Sequence, residues 1–141
     1  MKGKDLDMST QQIALNIFSI ILSGVLATLI NLWYQKRQQI LKAKIGLIEI
    51  IFGYRYQLGN WYNGPKEELM RALNKIPIVF ANSKDVINAY NELYQVACTS
   101  PMNNENLKDN ALIKLLKEMC RNVKIGTKWD DSYYKNILTL R

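Results

Sequence analysis

The chain contains no histidine. That absence removes Cys-His and Ser-His-Asp catalysis, the HExxH metal motif and most zinc sites. Its two cysteines, Cys98 and Cys120, form no CxxC pair and are expected to be free thiols that pack in a reducing compartment. There is no GxGxxG and no GxxxxGK(S/T) phosphate loop. Strand signals are nearly absent, and neither an internal repeat nor a low-complexity linker occurs. Carboxylates and lysines remain, but no catalytic constellation of them stands out. The expectation is a protein that is not an enzyme, with no catalytic residue, no cofactor and no metal.

What is present is a long apolar run. Ile13 to Leu32 reads IALNIFSIILSGVLATLINL, without one charge. A helix of about 20 residues rises about 30 Å, the thickness of a bilayer's hydrocarbon core. Trp33 and Tyr34 follow, then Lys36 and Arg37, the order in which a span ends at a cytoplasmic face. The expected organisation is a short extracytoplasmic leader (1–12), a transmembrane helix (13–34) and a cytoplasmic domain (35–141). Two other readings compete. A cleaved secretory signal is disfavoured by the length of the run, by Asp5 and Asp7 ahead of it and by the lack of an A-x-A site. A buried helix of a soluble domain would account for Asn16, Ser19, Ser23 and Asn31.

From Gln35 onward the chain holds 17 of its 19 Lys and Arg and 10 of its 12 Asp and Glu, a balance of 17 − 10 = +7. Lys36, Arg37, Lys42 and Lys44 follow the run, while Lys2 and Lys4 precede it. The positive-inside rule then places the N-terminus outside and the domain in the cytoplasm. The excess charge serves to orient the helix and hold anionic lipid, or to bind a soluble anion.

Within the span, Asn16, Ser19, Ser23, Ala27 and Asn31 recur at three and four residues and share one face. Small residues let membrane helices approach, and Asn bonds across them. This seam is the candidate oligomerisation face; the plainer reading is a lone anchor with tolerated polar residues.

Beyond the span the pattern is helical. Ile40 to Phe52 continues the helix, and Gly46 and Gly53 permit close packing or a bend. Gly59 to Pro65 is loop chemistry, with Pro65 in the first turn of a helix that carries Leu69, Met70, Leu73 and Ile76. Pro77 is expected to end it and leave IPIVF extended. Ser83 is a candidate N-cap for a helix bearing Val86, Ala89, Tyr90, Leu93 and Tyr94. Thr99 to Asn106 is a polar loop. Leu107 to Val123 is the most amphipathic stretch, and Gly126 is placed to stop it. A short helix near Asp130 or Asp131 closes the chain. The fold class is all-α: one N-terminal transmembrane helix followed by a small helical bundle.

The amphipathic stretch has a second stripe. Lys114, Lys117, Arg121 and Lys124 share a face, Lys128 lies beyond, and Trp129, Tyr133 and Tyr134 follow. Cations bind phosphate oxygens and aromatic faces stack on bases, so the arrangement suits a single-stranded or cyclic oligonucleotide. The plainer reading is a solvated helix face, with Trp129 capping the core and Glu118 pairing with Lys114. Arg71 and Asn74 form a second candidate ligand segment. Asn74 is expected close to an apolar face, where it reads a ligand or bonds the backbone at the Pro77 break.

The runs EELMRALNKIPIVF, VINAYNELY and ALIKLLKEMCRNVKIGTKWDDSYY are similar to an uncharacterised bacterial family of helical cytoplasmic domains that often follow one membrane span. The likeness covers most of residues 40 to 135 and rests on the ALNxI segment, the LLxEM helix and the end at Asp130, Asp131, Tyr133 and Tyr134. In size, single span and basic helical domain, the chain also resembles the small membrane effectors of type III CRISPR systems that cyclic tetra-adenylate activates. That resemblance implies a homo-oligomer, a tetramer among the options, that binds a cyclic oligoadenylate second messenger and then damages the lipid bilayer. No long nucleic acid is implied. The alternative is a membrane-anchored scaffold with no nucleotide ligand.

Overall fold

The computed structural model describes residues 3–58, 62–99, 105–126 and 128–135. Among them there is no strand. The elements are α1 (Gly3–Tyr54), a 3-10 turn η1 (Arg55–Leu58), α2 (Glu67–Val79), α3 (Lys84–Thr99), α4 (Glu105–Val123) and α5 (Asp131–Lys135). The protein is all-α, one long apolar N-terminal helix followed by a helical bundle. It divides into two compact units, Met1–Gln39 and Ile40–Arg141. Residues 136–141 of the tail, 100–104 of the polar loop and 59–61 of the GNWYNGP segment lie outside the described residues.

The first unit is the apolar stretch of α1. Every side chain from Thr10 to Arg37 is exposed. The run is therefore not a core helix here. This helix is long and apolar enough to cross a membrane. The seam residues Asn16, Ser19, Ser23, Ala27 and Asn31 are all exposed. The Ser23 hydroxyl donates to the Ile20 carbonyl at 2.8 Å, and Asn31 Oδ1 accepts from Gln35 Nε2 at 3.4 Å. These bonds lower the cost of carrying polar groups in an apolar medium.

The second unit buries one core. Leu47, Ile48 and Ile51 enter it from the end of α1, Leu69 and Ile76 from α2, Val86 and Ala89 from α3, and Leu115, Leu116 and Met119 from α4. Helix α3 packs along α4, and α5 docks on α4. The α4 face is wider than expected, since Ile113 and Cys120 are buried as well. Met70, Tyr94 and Leu107, expected on apolar faces, are exposed. Gly46 and Gly53 mediate no close packing, for a Cβ at either would meet nothing within 4 Å.

Besides the start of α4 at Glu105, two residues before the expected Leu107, three boundaries differ from the sequence expectation. Helix α2 starts at Glu67, so Pro65 precedes its first turn. Lys66 sits at the N-cap without a side-chain cap; the buried Gln57 accepts the Leu69 N–H at 3.4 Å in its place. Pro77 does not end α2. The helix continues to Val79, and the Phe80 N–H still reaches the Ile76 carbonyl at 2.9 Å. A proline this close to a C-terminus forfeits one hydrogen bond, its own. Ile76 and Phe80, four residues apart and fully buried, hold the turn helical by their burial. At the third boundary, α4 stops at Lys124 rather than Gly126. Lys124 has φ 62, its N–H bonds to the Arg121 carbonyl (3.1 Å), and the Ile125 N–H bonds to the Cys120 carbonyl (3.0 Å). This is a Schellman motif with lysine in the left-handed position.

Ser83 precedes α3. Its carbonyl accepts the Ile87 N–H at 3.0 Å, and its hydroxyl accepts Asn122 Nδ2 at 2.9 Å. Lys44 Nζ donates to Asn122 Oδ1 at 2.7 Å, so Asn122 ties α1, α4 and the start of α3 together.

Candidate functional site: a basic pocket at the end of α4

The Schellman turn directs the chain back across the last turns of α4. There it closes a pocket of about 200 Å³, lined by Lys117, Cys120, Arg121, Ile125, Gly126, Trp129 and Tyr134. Gly126 is required twice over. Its φ is 59, and a Cβ there would stand 2.5 Å from the indole of Trp129. The ring therefore lies directly on the glycine, and the Trp129 N–H closes the turn on the Gly126 carbonyl at 3.0 Å.

The aromatic residues take different places. Trp129 is 47% exposed and Tyr133 65% exposed. Tyr134 is 5% exposed and belongs to the core. Its ring centroid lies 5.7 Å from that of Phe52 and 6.1 Å from that of Trp129. Its hydroxyl donates to the Gly126 carbonyl at 3.4 Å. The expectation that Tyr134 offers a free stacking face is corrected: it is a wall of the pocket, held by core packing. Trp129 is edge-on to Phe52 at 6.3 Å and tilted against Tyr133 at 6.4 Å.

The cations are also sorted. Lys117 is half-buried, with its ammonium 5.9 Å from the Tyr134 ring centroid. Arg121 is exposed and holds Glu118 through two bonds of 2.8 and 3.0 Å. Lys114 pairs with Glu92 of α3. The expected Glu118–Lys114 pair is thus replaced. A carboxylate placed C-terminal to its lysine has the weaker orientation on a helix, and Arg121 Nη1 reaches both oxygens of Glu118 at once. Lys124 and Lys128 are exposed beside the pocket and do not line it.

The second candidate segment stands apart. Arg71 is exposed and paired with Glu67 at 3.5 Å, and Asn74 is exposed rather than part-buried. On α2, Asn74 falls on the side opposite Leu69, Ala72 and Ile76, which is why it reaches solvent. Neither residue lines the pocket.

The sequence reading missed Phe52, Arg55 and Ile125 here, and took Cys120 only as packing and Gly126 only as a stop. Burial pushes the Cys120 thiol up, an effect that the hydrogen bond with Tyr134 partly offsets. A thiol so placed stays protonated near neutral pH and is a wall, not a nucleophile. Among the described residues no group of three or more Cys, Asp or Glu side chains is placed to hold a metal ion. What the pocket offers is two cations, a planar aromatic face and a tight backbone turn, which together suit a phosphate beside a flat ring.

The fold and the site define a small helical domain with a basic aromatic pocket, preceded by an apolar helix of membrane-spanning length. The chain belongs to the family of unknown function DUF6680, whose model matches residues 8–132. The match takes in the whole apolar run, so that run is part of the unit the family defines. No curated protein and no solved structure matches the chain.

Proposed function

We propose that this protein is a single-span effector of bacterial antiviral defence, akin to the type III CRISPR membrane effectors. Its cytoplasmic domain binds a cyclic oligoadenylate, cyclic tetra-adenylate first among them, and binding makes the inner membrane leaky. The observation that carries the reading is the pocket at the end of α4, where Lys117 and Arg121 stand beside the half-exposed indole of Trp129. At about 200 Å³ it is smaller than the roughly 300–1,000 Å³ of ordinary ligand pockets. It suits one nucleotide unit, a phosphate on the cations and a base on the indole. A larger ring would then be shared among copies of a homo-oligomer whose spans meet along Asn16, Ser19, Ser23, Ala27 and Asn31. Lys124, Lys128 and Tyr133 would extend the contact at the rim. In this reading the N-terminus lies outside, because the Lys and Arg excess follows the span.

The rival reading, a scaffold without a nucleotide, draws on the pairing of Arg121 with Glu118 and of Lys114 with Glu92, which leaves these cations already neutralised.

Labelled cyclic oligoadenylates of different ring size, titrated against the full chain in detergent, separate the two. A charge-assisted bond to phosphate contributes roughly 1.5–3 kcal/mol. Changing Lys117, Arg121 and Lys124 together to Ala should therefore weaken binding at least tenfold, and binding by the parent should fall with salt. Unchanged binding by the folded triple variant would move the site to the Arg71–Asn74 segment. No binding of any ring size by the parent would favour the scaffold.

A further inference from the structure

Arg55 is a half-buried guanidinium outside the lining of the pocket. It sits in η1, directly after the last turn of α1. Its Nη1 donates to the Tyr133 carbonyl at 2.9 Å and to the Tyr134 carbonyl at 3.3 Å. The guanidinium carbon lies 5.1 Å from the Phe52 ring centroid. Burial lowers its pKa from the usual arginine value, yet arginine remains charged throughout the physiological range. Removing part of a charge from water is costly, and two charge-assisted hydrogen bonds with a ring beneath offset that cost.

The recipient of those bonds is α5, five residues long. A helix that short has no stability of its own, and its last carbonyls have no partner within the helix. Its place must be set from outside, and α5 carries Tyr133 and Tyr134, with Trp129 immediately before it. Phe52 touches both Trp129 and Tyr134 from the same turn of α1. We propose that Arg55 is the positioning residue of the pocket: its clamp on the α5 carbonyls fixes the aromatic wall against the last turn of α1. A lysine there keeps donors for the carbonyls but has no planar group to lie on the Phe52 ring, so it does not reproduce the clamp. A ligand that moves Trp129 must then act on Phe52 and Arg55, so occupancy of the pocket is felt at the end of α1. The relevance to ligand binding rests on the reading of the pocket given above; the clamp itself does not.

The test uses the full chain in detergent with Trp33→Phe and Trp61→Phe, which leaves Trp129 as the one indole of three. Arg55→Gln and Arg55→Lys are compared with this parent for Trp129 emission, acrylamide quenching and affinity for cyclic tetra-adenylate. Both variants should keep helical content and melt cooperatively, while Trp129 shifts to the red and quenches more readily. Affinity should fall roughly fivefold to tenfold, about one charge-assisted bond. Trp129 emission and quenching identical to the parent in either folded variant would overturn the proposal. Loss of folding in both would also overturn it, because Arg55 would then hold the fold and not the wall. If the parent binds no cyclic oligoadenylate, the functional reading fails while the fluorescence still decides the clamp.

Discussion

Lys124 holds a left-handed backbone conformation at the end of α4, φ 62, where helices most often place glycine. For a residue with a Cβ that conformation costs about 1–2 kcal/mol. Replacing it by Gly removes the strain and adds a smaller entropy cost in the unfolded chain. Lys124→Gly should therefore stabilise the domain by about 1 kcal/mol, roughly a 4–8 °C rise in Tm for about 100 residues. Lys124→Ala should leave Tm nearly unchanged, since alanine bears the same strain. Both variants delete the charge, so both should weaken cyclic tetra-adenylate binding alike. Calorimetric melting and titration of the pair separate the backbone role of this residue from the ligand contact proposed for it. The sequence shows that Lys124 shares a face with Lys117 and Arg121. It does not show that lysine, and not Gly126, occupies the turn, because Gly126 looks like the ordinary helix stop. Its lack of a side chain is instead matched to the Trp129 ring.

At the scale of elements, the periodicity of α4 is legible because one face meets a continuous core: Ala111, Leu112, Leu115, Leu116, Met119 and Val123 all lie there as spaced. The ends of α2 are not legible, because both are set by groups distant in sequence or by burial. Gln57 is the clearest case. It is 3% exposed and caps the Leu69 N–H twelve residues on. Gln57→Met keeps the length and removes the acceptor. It should destabilise the domain by about 1 kcal/mol, as the loss of a helix cap does, read as a lower urea midpoint with an unchanged slope. An unchanged midpoint would mean that the cap contributes nothing. The pocket shows the same division. Lys117, Arg121, Trp129 and Tyr134 were visible as a basic row running into an aromatic cluster. Arg55 and Phe52 were not, because only folding brings the end of α1 to α5.

For the whole molecule, the features bearing on function are an exposed apolar helix long enough to cross a membrane, a basic pocket in the bundle, and a family match that takes in the apolar run and every residue lining the pocket except Tyr134. A ligand shifts a membrane assembly only by as much as it prefers the leaky arrangement. An anionic ring drawing cations from several copies would provide such a preference, and the same anion held by one copy would not. The most direct measurement is dye release from phosphatidylethanolamine and phosphatidylglycerol vesicles that carry the inserted full chain. Cyclic tetra-adenylate added outside should release the dye from vesicles with the parent protein. It should not release dye from vesicles carrying the Lys117, Arg121 and Lys124 triple alanine variant. Retention of the dye with cyclic oligoadenylates of every ring size, or equal release by the triple variant, would contradict the account.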